Sequence, residues 1–105
     1  RGDVVAVHSL RRGAAEALEI IAHGTPKESK VVGRCIDEIR LPSGATIGVI
    51  VREERNLEGR ILRRQVIMPH HDTVIEPEDH VIVFCTHKRL VRQVEKLFQV
   101  GFGFL

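Results

Sequence analysis

The chain of 105 residues contains no tryptophan and no tyrosine, and three of its four phenylalanines stand in the last eight residues. Proteins that bind single-stranded nucleic acid usually stack bases on aromatic side chains spread over a basic surface. The formal net charge is only +2, and acidic and basic residues are interspersed, although the pI of about 8.8 is mildly basic. We therefore predict no nucleic-acid partner.

Cysteine is also scarce: Cys35 and Cys85 lie far apart, and each stands in an apolar run. No paired cysteine spacing typical of zinc or redox sites occurs, so buried, reduced thiols in a cytosolic protein are predicted. No apolar run reaches the length of a membrane span, and no signal-peptide pattern is visible. The composition, 43% hydrophobic and 29% charged, is typical of a single globular domain with a modest core.

Motifs for cofactor binding and catalysis are missing as well. The nine glycines are scattered, and Gly101-x-Gly103 at the end of the chain lacks the strand-to-helix context of a dinucleotide site. No serine stands in a nucleophile-elbow motif, and the apolar neighbours of Cys85 predict burial. We therefore predict no enzymatic activity. Because the chain starts with RGDVV and not with Met, we expect it to be a piece of a longer protein.

Apolar patterning predicts an α+β fold, with a mainly antiparallel sheet, a short helix and a C-terminal amphipathic helix. Strands are predicted for Asp3–Leu10, 45–51, 61–68 and 80–86, and Gly48 predicts a bulge or a close backbone contact. A short helix is predicted for 31–39, with Ser29 near its start and the LPSG segment at its end. The C-terminal helix is predicted from a stripe of apolar residues, with Thr86 as its N-cap: Leu90, Val91, Val94, Leu97 and Phe98.

The stretch Ala14–His23 is ambiguous. Ala14, Leu18 and Ile21 share one face of a helix, and Gly24 would suit the C-terminal cap. As a strand, it would place Glu16 on the same face as Leu18 and Ile20, which is the poorer pattern. Periodicity alone therefore favours a helix.

The segment 69–80 is dense in histidine, acidic residues and proline. Five residues have donor atoms suited to a metal: His70, His71, Asp72, Asp79 and His80. The adjacent His70 and His71, however, would point to opposite sides of an extended chain. Pro69 and Pro77 favour turns. The pattern favours solvated turns between strands over a metal centre, which stays the alternative.

A family resemblance rests mainly on Val66–Phe98, VIMPHHDTVIEPEDHVIVFCTHKRLVRQVEKLF, and extends to VHSLRRGAAEALEIIAH, SKVVGRCIDEIRLPSGATIGVIVR and KLFQVGFGFL. The segment resembles the TrkA C-terminal (RCK_C) domain family, in which a strand, two turns, a strand and a helix follow one another. The matching residues are Pro69, Asp72, Thr73, Pro77, Asp79, His80 to Phe84 and a helix from Lys88. The resemblance implies one RCK_C domain over 1–105, and it implies a strand at Ala14–His23.

Two positions depart from the family pattern: His71 and Glu78 stand where the family has turn glycines. A residue other than glycine is strained wherever the backbone needs a positive φ, so these turns must differ or carry strain. The segment RNLEGRILRRQ is also longer than the usual connection and predicts an extended hairpin.

The resemblance also implies a function. RCK_C domains belong to cytoplasmic regulatory subunits of bacterial Trk potassium uptake systems, at the inner face of the cell membrane. The implied partners are a second RCK_C domain in a homodimer, upstream RCK_N domains and the membrane potassium transporter subunit. NAD or ATP would be held by the RCK_N domain, and this chain itself would hold no cofactor. Some RCK_C domains bind a nucleotide second messenger, cyclic di-AMP, and this stays the alternative function.

Two surfaces are candidates for binding a ligand or partner. The C-terminal helix carries Lys88, Arg89, Arg92 and Lys96, with only Glu95 opposing them. These residues form either a solvated helix face or a docking surface for an anionic ligand or acidic partner. Phe102 and Phe104 in the tail either close the edge of the core or cover a partner subunit. His8 and His23 are predicted to be ordinary strand residues.

Overall fold

A computed structural model describes residues 3–101 of the chain. The elements are β1 (Val4–Leu10), β2 (Ala15–Ile21), β3 (Ala45–Arg55), β4 (Ile61–Ile67), β5 (His80–Cys85) and the helix α1 (Leu90–Phe98), with a 3-10 turn at Ile36–Glu38. The strands form one antiparallel sheet in the order β1-β2-β5-β3-β4. The predicted α+β class is confirmed.

Within the segment Ala14–His23, residues Ala15–Ile21 form the strand β2, so the helix favoured by periodicity is wrong and the strand implied by the resemblance is confirmed. β2 lies between β1 and β5, and Glu16, Leu18 and Ile20 all point to the buried side of the sheet. Glu16 is buried despite its charge. Pairing on both edges supplies backbone hydrogen bonds that outweigh the local preference for a helix.

The helix predicted for 31–39 is wrong except for the 3-10 turn. Ser29 does cap a local turn, because its Oγ accepts from the backbone N–H groups of Val31 and Val32 at 3.0 and 2.9 Å. The chain then turns at Gly33, whose φ is +82°, and the backbone N–H of Gly33 donates to the carbonyl of Ile75 at 2.8 Å. These long-range backbone bonds replace the local bonds of a helix.

The C-terminal helix lies where predicted and packs on β2, but its start differs. The helix begins at Leu90, and no side chain caps its N-terminus. Thr86, the predicted N-cap, lies outside the helix and donates its backbone N–H to the carbonyl of Gly44 at 2.9 Å. The helix buries one stripe of side chains: Leu90, Val94 and Phe98. These side chains join the sheet residues Leu18, Ile20, Ile50, Val81 and Val83 in the core.

Gly48 lies at a β-bulge and also at a close contact with the backbone, the two features predicted for it. The pairing of β3 with β5 shifts register between Ile47 and Val49, as a bulge requires. A Cβ atom at Gly48 would overlap the ring of Phe84 on β5. Glycine is required here because the aromatic ring lies directly over the backbone.

The hairpin of β3 and β4 is extended, as predicted, and β3 continues past the predicted end at Val51 to Arg55. Glu53 accepts hydrogen bonds from Arg55 at 2.8 Å and from Arg64 at 3.1 Å. These bonds, chiefly the one from Arg55, lower the pKa of Glu53. Of these two bonds, the one between Glu53 and Arg64 joins the two strands and supports the hairpin, whereas the one with Arg55 lies within β3.

A two-pronged ion pair joins β3 to the turn before β5. The guanidinium of Arg52 donates from Nε to Oδ1 of Asp79 and from Nη2 to Oδ2, both at 2.9 Å. The Asp79 side chain is 1% exposed, and its Oδ2 also accepts from the backbone N–H of Glu76 at 2.9 Å. The accepting carboxylate raises the pKa of Arg52. The fork therefore holds the turn at 76–79 against the sheet.

Backbone strain was considered for two turn positions, His71 and Glu78, and the structure shows it at Glu78, in this same turn. Glu78 has a φ of +70°, whereas His71 is not among the residues with positive φ. The backbone N–H of Glu78 donates to the carbonyl of Ala22 at 2.6 Å, and its carboxylate lies 2.7 Å from Nδ1 of His23. Long-range contacts thus hold Glu78 in a conformation that favours glycine.

We expect Asp79→Ala to lower the free energy of unfolding by about 3 kcal/mol, because it leaves Arg52 without its buried partner. Chemical denaturation monitored by circular dichroism would measure the change. Glu76→Ala is the matched control: it removes the exposed Glu76 carboxylate, 3.1 Å from Nη1 of Arg52, and should cost less than about 1 kcal/mol. Equal losses in the two variants would contradict the central role of the fork.

We expect Glu78→Gly to be more stable than Glu78→Ala by about 1 kcal/mol, because only glycine is free of strain at positive φ. Both variants lose the contact with His23, so their difference isolates the backbone. At Glu76, where φ is not positive, the order of the glycine and alanine variants should reverse. Thermal denaturation of the four variants tests this, and the same order at both positions would refute it.

Candidate functional site

Three of the four predicted basic residues lie at a groove between β1 and α1. Lys88 and Arg89 stand in the turn before α1, and Arg92 is in its first turn. Val7 on the edge strand β1 is paired with Leu18, so its side chain lies on the helix-covered face of the sheet and lines this groove. The groove has a volume of about 450 Å³, and its lining consists of Val7, Lys88, Arg89, Val91, Arg92 and Glu95.

Three of the predicted residues share this groove and three do not. Lys88, Arg89 and Arg92 are exposed and line it, whereas Lys96 is exposed on α1 outside the lining. Phe102 and Phe104 lie outside the described residues. The structure therefore brings together half of the predicted surface.

The groove combines positive charge with apolar surface. Within residues 3–101, Lys88, Arg89 and Arg92 form no ion pair, and Glu95 is the acidic residue in the lining. Val7 is 46% exposed, and Val91 lies beside it. Cations around an apolar floor suit a ligand that has both an anionic and an apolar part.

A second exposed basic feature was missed by sequence reasoning. Arg11 and Arg12 form the tip of the hairpin between β1 and β2, with φ of +50° and +59°. The sequence Arg11-Arg12-Gly13 indicates a turn, but it does not indicate that both arginines adopt a left-handed backbone conformation. Both side chains are exposed and form the sides of a shallow depression.

The histidine-rich segment forms turns. The backbone N–H of His70 donates to Oγ1 of Thr73 at 2.9 Å, and His71 lies 3.4 Å from Asp37. Among residues 3–101, no three histidine, cysteine or acidic side chains are grouped as a metal would need. His80 contacts Glu19 at 2.8 Å on the sheet. The geometry thus supports the turn interpretation of this segment.

Both cysteines are free, and they differ in burial. Cys85 is buried as predicted, and burial, followed by the nearby Glu16 charge, raises the pKa of its thiol. A protonated, buried thiol is a poor nucleophile. Cys35 is only half-buried, so the prediction of burial is wrong for this residue.

His23 has a role that the sequence did not reveal. It follows β2, and its ring lies 3.2 Å from Asp3 and 2.7 Å from Glu78. It therefore links the start of β1 to the turn before β5. A sequence separation of 55 residues between His23 and Glu78 hides this contact from local patterns.

Comparison with known proteins places this geometry in a family. The family model of the TrkA-C domain matches residues 25–99, which is more than half of the chain. The chain belongs to the TrkA-C domain family. Its matched region runs from the loop after β2 through α1 and contains the Arg52–Asp79 fork and the basic residues of the groove.

Related proteins carry a common name. The chain is 56% identical over 104 residues to the Trk system potassium uptake protein TrkA of Halomonas elongata and 51% identical over 105 residues to that of Vibrio alginolyticus. The TrkA of Haemophilus influenzae is 44% identical over 105 residues. These alignments cover 99 to 100% of this chain but 21% of each relative, so the chain spans about a fifth of their length. No helix among the described residues is long and apolar enough to cross a membrane.

Proposed function

We propose that this chain is a non-enzymatic regulatory domain of a bacterial Trk potassium uptake system. It couples the ligand state and assembly of the regulatory subunit to the gating of the membrane potassium transporter. The observation that carries the proposal is the 56% identity, over 99% of this chain, to a protein named for potassium uptake. Membership of the TrkA-C family supports the same conclusion.

The geometry supports coupling by a rigid unit. The Arg52–Asp79 fork, the buried stripe of α1 and the central strands leave little freedom inside the domain. A ligand bound elsewhere changes a transporter only if the two gating states bind that ligand unequally. A stiff domain transmits such a difference as a change in the relative position of its surfaces.

The partners of the proposed unit follow from the same assignment. Upstream RCK_N domains hold NAD or ATP, and the membrane potassium transporter subunit receives the signal at the cytoplasmic face. A second copy of this domain completes a homodimer. The groove with Lys88, Arg89 and Arg92 offers a contact surface for an acidic partner, because these cations have no partner within residues 3–101.

Rubidium uptake in a strain that lacks its own regulatory subunit tests the proposal with the full-length protein. We expect the Arg89→Glu/Arg92→Glu variant to reduce uptake about fivefold or more, the low end of typical coupling between sites. Lys27→Glu/Arg60→Glu makes the same charge change at exposed residues away from the groove and should leave uptake unchanged. Full uptake by the groove variant and by a protein without this domain would overturn the proposal.

A second candidate function, binding of a nucleotide second messenger, is favoured by the same groove. Its cations suit phosphates, and the apolar pair of Val7 and Val91 suits the face of a base. Calorimetric titration of this chain with cyclic di-AMP should release heat that Arg89→Glu/Arg92→Glu abolishes and Lys27→Glu/Arg60→Glu preserves. The absence of heat with the unaltered chain would contradict this candidate.

A further inference from the structure

The strand β4 has a paired neighbour on one side only. It ends the sheet order β1-β2-β5-β3-β4 and pairs with β3. In an antiparallel pair, alternate residues direct their backbone N–H and C=O groups away from the partner strand. Within residues 3–101, no strand and no loop backbone pairs with these outward groups. We call this unpaired side of Ile61–Ile67 the outer edge of β4.

The opposite end of the sheet is less suited to an added strand. The pairing of β1 with β2 shifts register between Val4 and Ala6, so the regular ladder is interrupted near the start of β1. Such irregularities twist an edge and protect it from further pairing. β4, by contrast, pairs with β3 residue by residue from Arg63 to Ile67. A regular edge is the template that an additional strand needs.

One row of β4 side chains is apolar and exposed. Leu62 is 61% exposed and Val66 is 64% exposed. Residues separated by an even number of positions share one face of a strand, and the neighbouring Ile67 pairs with the core residue Ile50. Leu62 and Val66 therefore lie on the side of the sheet opposite α1. A strand beside β4 would cover part of this row.

The charged side chains of β4 are all cationic. From Ile61 to His71 the sequence contains Arg63 and Arg64 and no acidic residue. Within residues 3–101, Arg63 forms no ion pair, not even with Glu54 opposite it on β3, and Arg64 uses its Nε for Glu53 at 3.1 Å. Guanidinium groups donate hydrogen bonds and accept none. An added strand therefore has to supply acceptors, and carboxylates are the strongest ones for arginine.

A depression of about 260 Å³ borders the outer edge on the α1 side of the sheet. Its lining includes Arg63 and Gln65 of β4, Arg52 and Glu54 of β3, and Glu76 from the turn before β5. Arg63 and Gln65 are the lining residues nearest to an added strand, and both present N–H donors. The acidic side chains lie on the inner side, at least one strand spacing of about 4.8 Å farther away. A carboxylate that enters from the outer edge meets the donors first.

A second copy of β4 is a poor occupant of this edge. Two β4 strands related by a two-fold axis would run antiparallel, and pairing centred on the strand would set Arg64 opposite its own counterpart. Like charges directly opposite each other destabilise a strand pair. Charged residues on edge strands prevent self-pairing in this way. The same charges favour a strand that carries acidic residues.

We propose that the outer edge of β4 binds an extended acidic segment of another protein, which adds to the sheet as a further strand. Main-chain hydrogen bonds supply affinity, and alternate side chains supply specificity. Apolar residues of the segment lie beside Leu62 and Val66 on one face, and a carboxylate lies beside Arg63 on the other. The inference goes beyond the proposed function, and it leaves the basic groove at α1 to a different partner.

A peptide of alternating valine and glutamate, about as long as β4 and with blocked ends, tests the edge. Its valines fall on the face of Leu62 and Val66, and its glutamates fall on the face of Arg63. Fluorescence anisotropy of the labelled peptide, titrated with this chain, measures binding. We expect it to bind at least about tenfold more tightly than a peptide of alternating valine and lysine, which corresponds to about 1.4 kcal/mol.

Variants of Arg63 test the specificity. We expect Arg63→Glu to weaken binding of the glutamate peptide at least about tenfold and to bind the lysine peptide more tightly than the unaltered chain does. Lys27→Glu makes the same charge change at an exposed residue away from β4 and should leave both affinities unchanged. Arg63→Gln removes the charge without placing a carboxylate opposite Glu54, and it should also weaken binding of the glutamate peptide. Circular dichroism checks that each variant is folded.

Backbone readouts distinguish strand addition from simple charge attraction. Two further glutamate peptides are N-methylated, one at every valine and the other at every glutamate, so each loses the backbone donors along one side. We expect one of them to lose binding and the other to keep it. Bound peptide should also slow hydrogen exchange at alternate amides of Ile61–Ile67, whereas the amides of Val4–Leu10 should be unaffected.

Four results would overturn the inference. They are no binding of the glutamate peptide at about 1 mM, the weak limit of specific recognition, equal affinity for the lysine peptide, binding that survives both patterns of N-methylation, and an affinity that neither Arg63 variant changes. Slower exchange of the β4 amides when the chain alone is concentrated would assign the edge to a second copy, and this result too would contradict the proposal.

Discussion

The fork between Arg52 and Asp79 is the interaction on which the arrangement depends. The Asp79 carboxylate, which is almost inaccessible to solvent, accepts two hydrogen bonds from Arg52 and one from the backbone N–H of Glu76. These hydrogen bonds compensate the carboxylate for the loss of water. By holding the turn at 76–79 against β3, the fork sets where β5 enters the middle of the sheet. Because β5 pairs with both β2 and β3, an error in its position would reach every central strand.

The same turn shows how strain is tolerated. Glu78 occupies a left-handed conformation that costs about 1 kcal/mol or more for a residue with a Cβ atom. The fork on one side, and the contacts with Ala22 and His23 on the other, hold the backbone there. Glycine would be free of this strain, and here tertiary contacts offset its absence.

The domain separates its surfaces by chemistry. The groove beside α1 carries cations without partners among residues 3–101. The side of the sheet opposite α1 carries the paired charges of His80 with Glu19 and of Arg64 with Glu53, and the exposed ring of Phe84. The cations of the groove suit an anionic partner.

The sequence by itself determined that the chain is a globular domain, and its local patterns predicted four of the five strands and the buried stripe of α1. It also predicted the close approach at Gly48. These features depend on residues that are near one another in sequence. Local periodicity missed the strand at Ala15–Ile21, which only the family resemblance indicated. Tertiary structure alone decided the loss of the helix at 31–39, the fork and the contacts of His23. Each depends on partners far along the chain: Arg52 and Asp79 are 27 residues apart, and His23 and Glu78 are 55 apart. Backbone and charge pairing over such distances outweighs local propensity, and no short window of sequence contains both partners.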